Sequence, residues 1–215
     1  MAKTVTAAEM KERERAANEA GLLYIQMMEN AGRAAYAELK RRVPALRRLL
    51  IVAGKGNNGG DGFVMARVAA EEGVQVRVLL AEGEPKTADA KTNLARLTET
   101  AAEIVRDTEQ AAFGADAVVD ALYGTGFHGE LRPSGAAACA LMGRERERGA
   151  FVLALDLPSG VSADSGEVAA GAVQADATVT FDCTKPLHFA KASKPLCGAL
   201  VCADIGIGKA LGERE

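Results

Sequence analysis

The chain predicts an α/β fold. A mostly parallel sheet carries helices on both faces as a three-layer sandwich, with a helical extension ahead of the first strand. Three observations carry this reading. Short, continuously apolar runs such as RLLIVAG and FVLALDLPSG suit strands buried on both faces. Helical patterns alternate with these runs through most of the chain, as parallel βαβ units require. At 215 residues and 48% hydrophobic side chains, the sequence suits one domain with a sizeable core.

Taken in order, about residues 6–42 read as helical. EMKERERAANEAG carries charges of both signs and stops at Gly21, and LLYIQMMENAGRAAYAELKRR repeats apolar residues at Ile25, Met28, Ala31, Ala35 and Leu39 before Pro44. RLLIVAG is a strand and GFVMARVAAEEG an amphipathic helix stopped by Gly73. VQVRVLLAEG is a strand, TADAKTNLARLTET a helix with a Thr start, and AEIVR a brief strand. ADAVVDALYGTG is a strand and loop, and SGAAACALMGRERERG a helix with a solvated, charged end. FVLALDLPSG, ATVTFDC and GALVCADIGI are further strands, and residues 161–176 form a loop or excursion. There is no internal repeat, low-complexity tract or linker, so 1–215 reads as a single domain.

Charge and composition exclude some partners. A net charge of −3 and a pI near 5.6 argue against nucleic acid. The absence of Trp and an aromatic content of 4% argue against base-stacking platforms. No run is long or apolar enough to span a bilayer. MAKTVTAAEMKERER is charged and lacks an apolar signal core, which predicts a mature cytoplasmic protein. Cys139, Cys183, Cys197 and Cys202 form no CxxC pair and read as reduced, packed thiols.

In a parallel sheet, ligands bind beyond the carboxyl ends of the strands. Those ends here read GKGNNGGDG, AEGEP, DALYGTGFHG, DLPSG, DCTKP and DIGIG. Four begin with an aspartate followed closely by Gly or Pro, so sharp turns can bring carboxylates and bare amides to one rim. The first contains GxGxxG at Gly54, Gly56 and Gly59, between a strand and a helix, where a pyrophosphate could approach the backbone. Glu82 ends the next strand, where a ribose-binding acid would sit. A nicotinamide-dependent oxidoreductase is one reading, and a tight structural turn is another.

Two features disturb the oxidoreductase reading. About 45 residues of helix precede the first strand, and Asn57, Asn58 and Asp61 are more polar than a pyrophosphate turn needs. Carboxylate, amide and hydroxyl oxygens hold hard cations, which makes Asn58, Asp120 and Ser159 candidate ligands. Equally, Asn58 and Ser159 could satisfy loop amides while Asp120 caps a turn. Asp156 is either a turn former or a general acid or base on a rigid loop. Lys185 either reaches the same pocket or is a solvated loop lysine. His128 and His188 have no evident nucleophile partner, and Tyr123 and Phe127 either line a ring pocket or anchor their loop.

LYIQMMENAGRAA, VAGKGNNGGDGFVMAR, DAVVDALYGTG, LALDLPSGVSADSG and DIGIG occur in an order that resembles the NAD(P)H-hydrate epimerase family, also called the YjeF N-terminal domain. The resemblance covers about residues 6–208. It implies a Rossmann-like fold, a homodimer, and interconversion of the R and S forms of hydrated NADH or NADPH (NADHX, NADPHX) at C6 of the nicotinamide ring. It places substrate contacts on Asn57, Asn58, Gly59, Gly60 and Asp61, on the loop Gly124, Thr125, Gly126, Phe127, His128, Gly129 and Glu130, and on Asp156. It places a potassium ion on Asn58, Asp120 and Ser159.

The implied mechanism uses Asp156 as acid and base, with Lys185 assisting. Glu14 stands where the family often has Asp, and Tyr123 where an aliphatic residue or Phe is expected. Many bacterial relatives continue into a nucleotide-dependent dehydratase domain, so either a stand-alone epimerase working with a separate dehydratase or an excised domain is expected. A non-catalytic dimerising scaffold of the same fold is the alternative from another class.

Overall fold

The computed structural model describes residues 3–213. Seven strands form one sheet: β1 (Arg48–Ala53), β2 (Gln75–Leu80), β3 (Glu103–Val105), β4 (Ala117–Ala121), β5 (Phe151–Leu155), β6 (Ala177–Phe181) and β7 (Ala199–Ala203). Their spatial order is β3-β2-β1-β4-β5-β6-β7, and every neighbouring pair is parallel. The sheet is therefore wholly rather than mostly parallel. The strand order reverses between β1 and β4, the switch point at which an open α/β sheet leaves a crevice.

The helices are α1 (Ala7–Glu19), α2 (Tyr24–Arg42), α3 (Asn57–Glu71), α4 (Ala88–Leu97), α5 (Thr108–Ala111), α6 (Pro133–Glu147) and α7 (Ile207–Ala210). Alternation along the strands divides the core in two. Leu49, Ile51 and Ala53 of β1 pack with Met28, Leu39, Phe63 and Leu97 from α2, α3 and α4. Leu50 and Val52 point the other way, against Ala111, Leu141 and Met142 of α5 and α6. Burial on both faces is why β1 reads as an uninterrupted apolar run. The 161–176 segment is an excursion closed by a single antiparallel bridge, Val161 to Val168.

Three local readings change. The asparagine–glycine stretch is not a loop before the helix, because α3 already begins at Asn57. Glycine is a poor helix former, but here it is required by close packing. A Cβ at Gly59 would lie 2.1 Å from the Gly54 carbonyl oxygen, and one at Gly60 would lie 2.5 Å from Met28 Sδ. The short helix α5 has no periodic signal in four residues. The charged end of α6 is not wholly solvated: Glu145 is 0% exposed, accepts from the Ala115 amide at 3.2 Å and pairs with Arg148 at 2.7 Å.

The thiols are free, with Cys139, Cys183 and Cys197 buried and Cys202 half-buried. Burial pushes the Cys197 thiol up to about 11. Among the described residues no helix is long and apolar enough to cross a membrane.

Candidate active site

The loops after β1, β4, β5 and β6 meet beside the switch point. Asp156 follows β5 directly and adopts a left-handed backbone conformation, φ 65°. For a residue with a side chain this costs about 1 kcal/mol or more, and such strain collects at functional sites. Its amide donates to the Val179 carbonyl at 2.7 Å. Its Oδ1 accepts from Lys185 Nζ at 2.6 Å and from Thr180 Oγ1 at 2.9 Å. Oδ2 faces the other way, 3.9 Å from where a Cβ on Gly124 would stand. One carboxylate oxygen is thus fixed and the other is turned toward the loop after β4.

Lys185 is not a solvated loop lysine. Its side chain is 1% exposed, and Nζ also reaches Thr180 Oγ1 at 2.9 Å and the Phe181 carbonyl at 3.3 Å. All three ammonium protons have acceptors, so Lys185 sits behind Asp156 as its charge partner. The side chain of Asp156 keeps 13% exposure.

Asn58, Asp120 and Ser159, each following a different strand, belong to one hydrogen-bonded cluster joined through the Tyr123 main chain. Ser159 donates to Asp120 through its amide at 2.7 Å and its hydroxyl at 2.6 Å. The Tyr123 amide donates to Ser159 Oγ at 2.9 Å, and Asn58 Nδ2 donates to the Tyr123 carbonyl at 2.9 Å. Asn58 Oδ1 is buried without a hydrogen-bond partner among the described residues. Asp120 is fully buried, and burial pushes its carboxyl up to about 6 against the hydrogen bonds from Ser159 and Leu122. None of the described salt bridges reaches it. These oxygens can hold a hard cation. No group of three His, Cys, Asp or Glu among the described residues is placed to hold a metal ion.

Two adjoining clefts run along the rim. One, of about 480 Å³, lies between the start of α3 and the loop after β4, with Lys55, Glu82 and Arg132 around it. The other, of about 550 Å³, lies under α1 and is lined by Lys11, Glu14 and Tyr24. Both are lined by Asn57, Thr125, Gly126 and His128, and Glu130 joins the first. No side chain caps the N-terminus of α3, which leaves its first amides for an anion. Phe127 is buried against Tyr123, ring centroids 5.1 Å apart, whereas His128, Gly129 and Glu130 are exposed. Glu82 does not stand free for a ribose: it accepts from the Tyr123 hydroxyl at 2.8 Å and lies 3.2 Å from Lys55 Nζ.

Gly59 and Gly60 are buried by packing, while Asp61 faces a small cavity shared with Glu14, Tyr24 and Asn57. Burial, then the charges of Asp156 and Glu14, hold the Asp61 carboxyl well above the usual range. Glu14 is pushed up to about 6 by burial and by Asp156. Glu14 and Thr87, the latter lining both clefts, come from segments with no motif of their own, and Tyr24 lies in the LYIQMMENAGRAA stretch, in which no site residue was singled out. Only the alignment of Glu14 with a family Asp pointed to any of them. Two of the four strand-end aspartates serve the scaffold: Asp182 pairs with Arg13 at 2.9 Å, and Asp204 accepts from the Gly206 amide at 2.7 Å. A groove of about 690 Å³ between α2, α3 and α4 contains none of the strand-end residues.

Comparison with known proteins shows the family and the fold. The family described as YjeF-related protein N-terminus matches residues 24–187. A protein of Pirellula staleyi named NAD(P)H-hydrate epimerase is 40% identical over 206 residues, covering 90% of this chain and 87% of that protein. A Coxiella burnetii protein named bifunctional NAD(P)H-hydrate repair enzyme Nnr is 37% identical over 202 residues, covering 94% of this chain. The chain spans 41% of that bifunctional relative's length. The crystal structure of yeast YNL200c superposes with a TM-score of 0.76 at 20% identity, over 94% of this chain and 88% of that one, and so shares the Rossmann-like fold. The chain belongs to the YjeF-related protein N-terminus family.

Proposed function

We propose that this protein is an NAD(P)H-hydrate epimerase, an isomerase that interconverts the R and S forms of NADHX or NADPHX. The observation that carries this is Asp156: a strained carboxylate, fixed through Oδ1 by Lys185 and Thr180, with Oδ2 turned toward the loop that borders the α3 N-terminus. The relative named NAD(P)H-hydrate epimerase, similar over nearly its whole length, supports the same reading.

At C6 of the hydrate, the carbon bears a hydroxyl and is bonded to the ring nitrogen. The nitrogen lone pair expels the hydroxyl, which leaves as water once it gains a proton, and a planar iminium results. Water then adds to the opposite face and gives up a proton. One carboxyl can make both proton transfers in turn, but a protonated and an ionised group side by side can divide them. Paired titratable groups in contrasting environments provide that division. Asp156, in its ion pair with Lys185, takes the base role. Asp61, held toward its neutral form, takes the acid role. Such proton transfers typically contribute ~10²–10⁴-fold. Asn57, the remaining α3 amides and the Gly124–Glu130 loop hold the dinucleotide.

The oxygen set fits potassium. Asn58 Oδ1 is buried and lacks a donor, and buried Asp120 lacks a cationic partner among the described residues. Asn58, Asp120 and Ser159 would hold the ion, which would offset phosphate charge and fix the loops. The protein would act as a homodimer in the cytoplasm, together with a dehydratase activity that consumes one epimer.

The test couples purified protein to an S-specific dehydratase and its nucleotide, acting on mixed R and S NADPHX. Rapid disappearance of the R form supports the proposal. Loss of R at only the spontaneous rate contradicts it.

A further inference from the structure

We infer that His188 is a positioning residue for the reactive carboxylate: a neutral, two-point clamp joining the main chain of Asp156 to the main chain of Lys185. This rests on the reading of Asp156 as the reacting base.

The imidazole is 2% exposed and uses both ring nitrogens on backbone atoms. The Lys185 amide donates to Nδ1 at 2.9 Å, and Nε2 lies 3.0 Å from the Asp156 carbonyl oxygen. An amide N–H can only donate, so Nδ1 carries no proton. A carbonyl can only accept, so Nε2 carries one. The neighbours therefore dictate a neutral ring with the proton on Nε2. An imidazolium would set an N–H against the Lys185 N–H. Burial is the largest influence and disfavours that form; the charge of Asp156 and the bond to its carbonyl oppose it, and the positive charge of Lys185 adds a smaller push against the charged ring.

What the clamp holds is unusual. Asp156 is left-handed at φ 65°, a conformation that persists only where its surroundings over-determine it. Its amide is held by Val179 and its Oδ1 by Lys185 and Thr180, and its carbonyl is the atom taken by His188. At the other end, Lys185 opens the 3-10 turn Pro186–His188, and the His188 amide donates to the Lys185 carbonyl at 3.1 Å. The ring thus folds back on the residue that starts its own turn and ties that turn to the loop after β5. Released, the two loops would still belong to the sheet, but the direction of Asp156 Oδ2 would no longer be fixed.

His188 lines neither cleft. With both nitrogens committed to the main chain, it has no free atom for a metal or a substrate proton. It acts through Asp156.

The test compares His188→Gln and His188→Leu in the whole chain, with folded fraction checked by circular dichroism and melting. Gln keeps a neutral donor and acceptor on one side chain, and Leu keeps bulk alone. A misplacement of about 1 Å can cost ~10²-fold in rate. His188→Leu should lower kcat by about that factor with KM nearly unchanged, and His188→Gln should recover most of it. Equal kcat in folded Gln and Leu variants, or wild-type kcat in folded His188→Leu, would overturn the clamp. Long-range ¹H–¹⁵N spectra of ¹⁵N-histidine protein read the tautomer without any activity. An Nε2–H ring at neutral pH supports the clamp, and an Nδ1–H or charged ring refutes it. A wild-type protein that fails to epimerise would defeat the proposed function while leaving this spectroscopic result to stand or fall separately.

Discussion

Lys185 Nζ lies 2.6 Å from Asp156 Oδ1, so a buried ion pair joins the loops that follow two adjacent strands, β5 and β6. Neither side chain can be replaced alone without cost. Removing one partner of a buried pair costs about 3–5 kcal/mol, because the other charge stays buried. Lys185→Met should fall in that range by urea denaturation. Asp156→Asn combined with Lys185→Met should regain much of the stability and none of the activity. A Lys185→Met protein as stable as wild type would show that the pair is solvated.

The glycines at the start of α3 should differ in their tolerance of alanine. At residue 59 the added methyl meets a main-chain oxygen at 2.1 Å, which cannot move aside. At residue 60 it meets the flexible thioether of Met28 at 2.5 Å. Overpacking costs about 1–3 kcal/mol. Gly60→Ala should lie within that range and Gly59→Ala above it. The reverse order in denaturant midpoints would contradict the packing explanation for these residues.

Much of this site was legible in the sequence because its residues sit at strand ends. Apolar runs locate strands, and whatever follows them must gather at one edge of a parallel sheet. That logic brought Asn58, Asp120, Ser159 and Asp156 together correctly. It failed where placement depends on contacts between distant segments. Glu14 arrives from α1, before the first strand. His188 lies in a polar-looking loop, yet it is buried against the main chain of Asp156, whereas Lys185 takes the pocket position that strand-end logic offered as one of its two readings. Glu145 sits in a charge-rich helix end whose one buried position follows from the Ala115 amide. Glycines packed inside a helix look like loop glycines until their neighbours are known.

Potassium should stabilise the fold. A ligand at a hundredfold excess over its Kd adds about 2.7 kcal/mol. Melting in potassium chloride should exceed melting in choline chloride at equal ionic strength. Asp120→Asn and Asn58→Ala should each abolish the difference. A potassium effect that survives both variants would place the ion elsewhere.

Stability should depend on Glu14 between about pH 4.5 and 6. Burial and Asp156 push its carboxyl from 4.5 up to about 6 in the folded protein. A raised carboxyl favours folding when protonated, so this contribution is complete below pH 4.5 and is lost as pH rises through 6. Wild type should lose up to about 2 kcal/mol across that window that Glu14→Gln does not. Parallel stability curves for the two proteins would show that Glu14 is not perturbed.

Inversion of C6 of the nicotinamide hydrate should run through Asp156. One purified epimer of NADPHX, incubated with wild-type protein or with Asp156→Ala and resolved by chromatography over time, tests it without any coupling enzyme. Wild type should bring the sample to the R/S equilibrium far faster than buffer alone, while Asp156→Ala should be slower by ~10²–10⁴-fold and still bind the hydrate. Equal rates for wild type and Asp156→Ala, or a wild-type rate no faster than buffer, would contradict it.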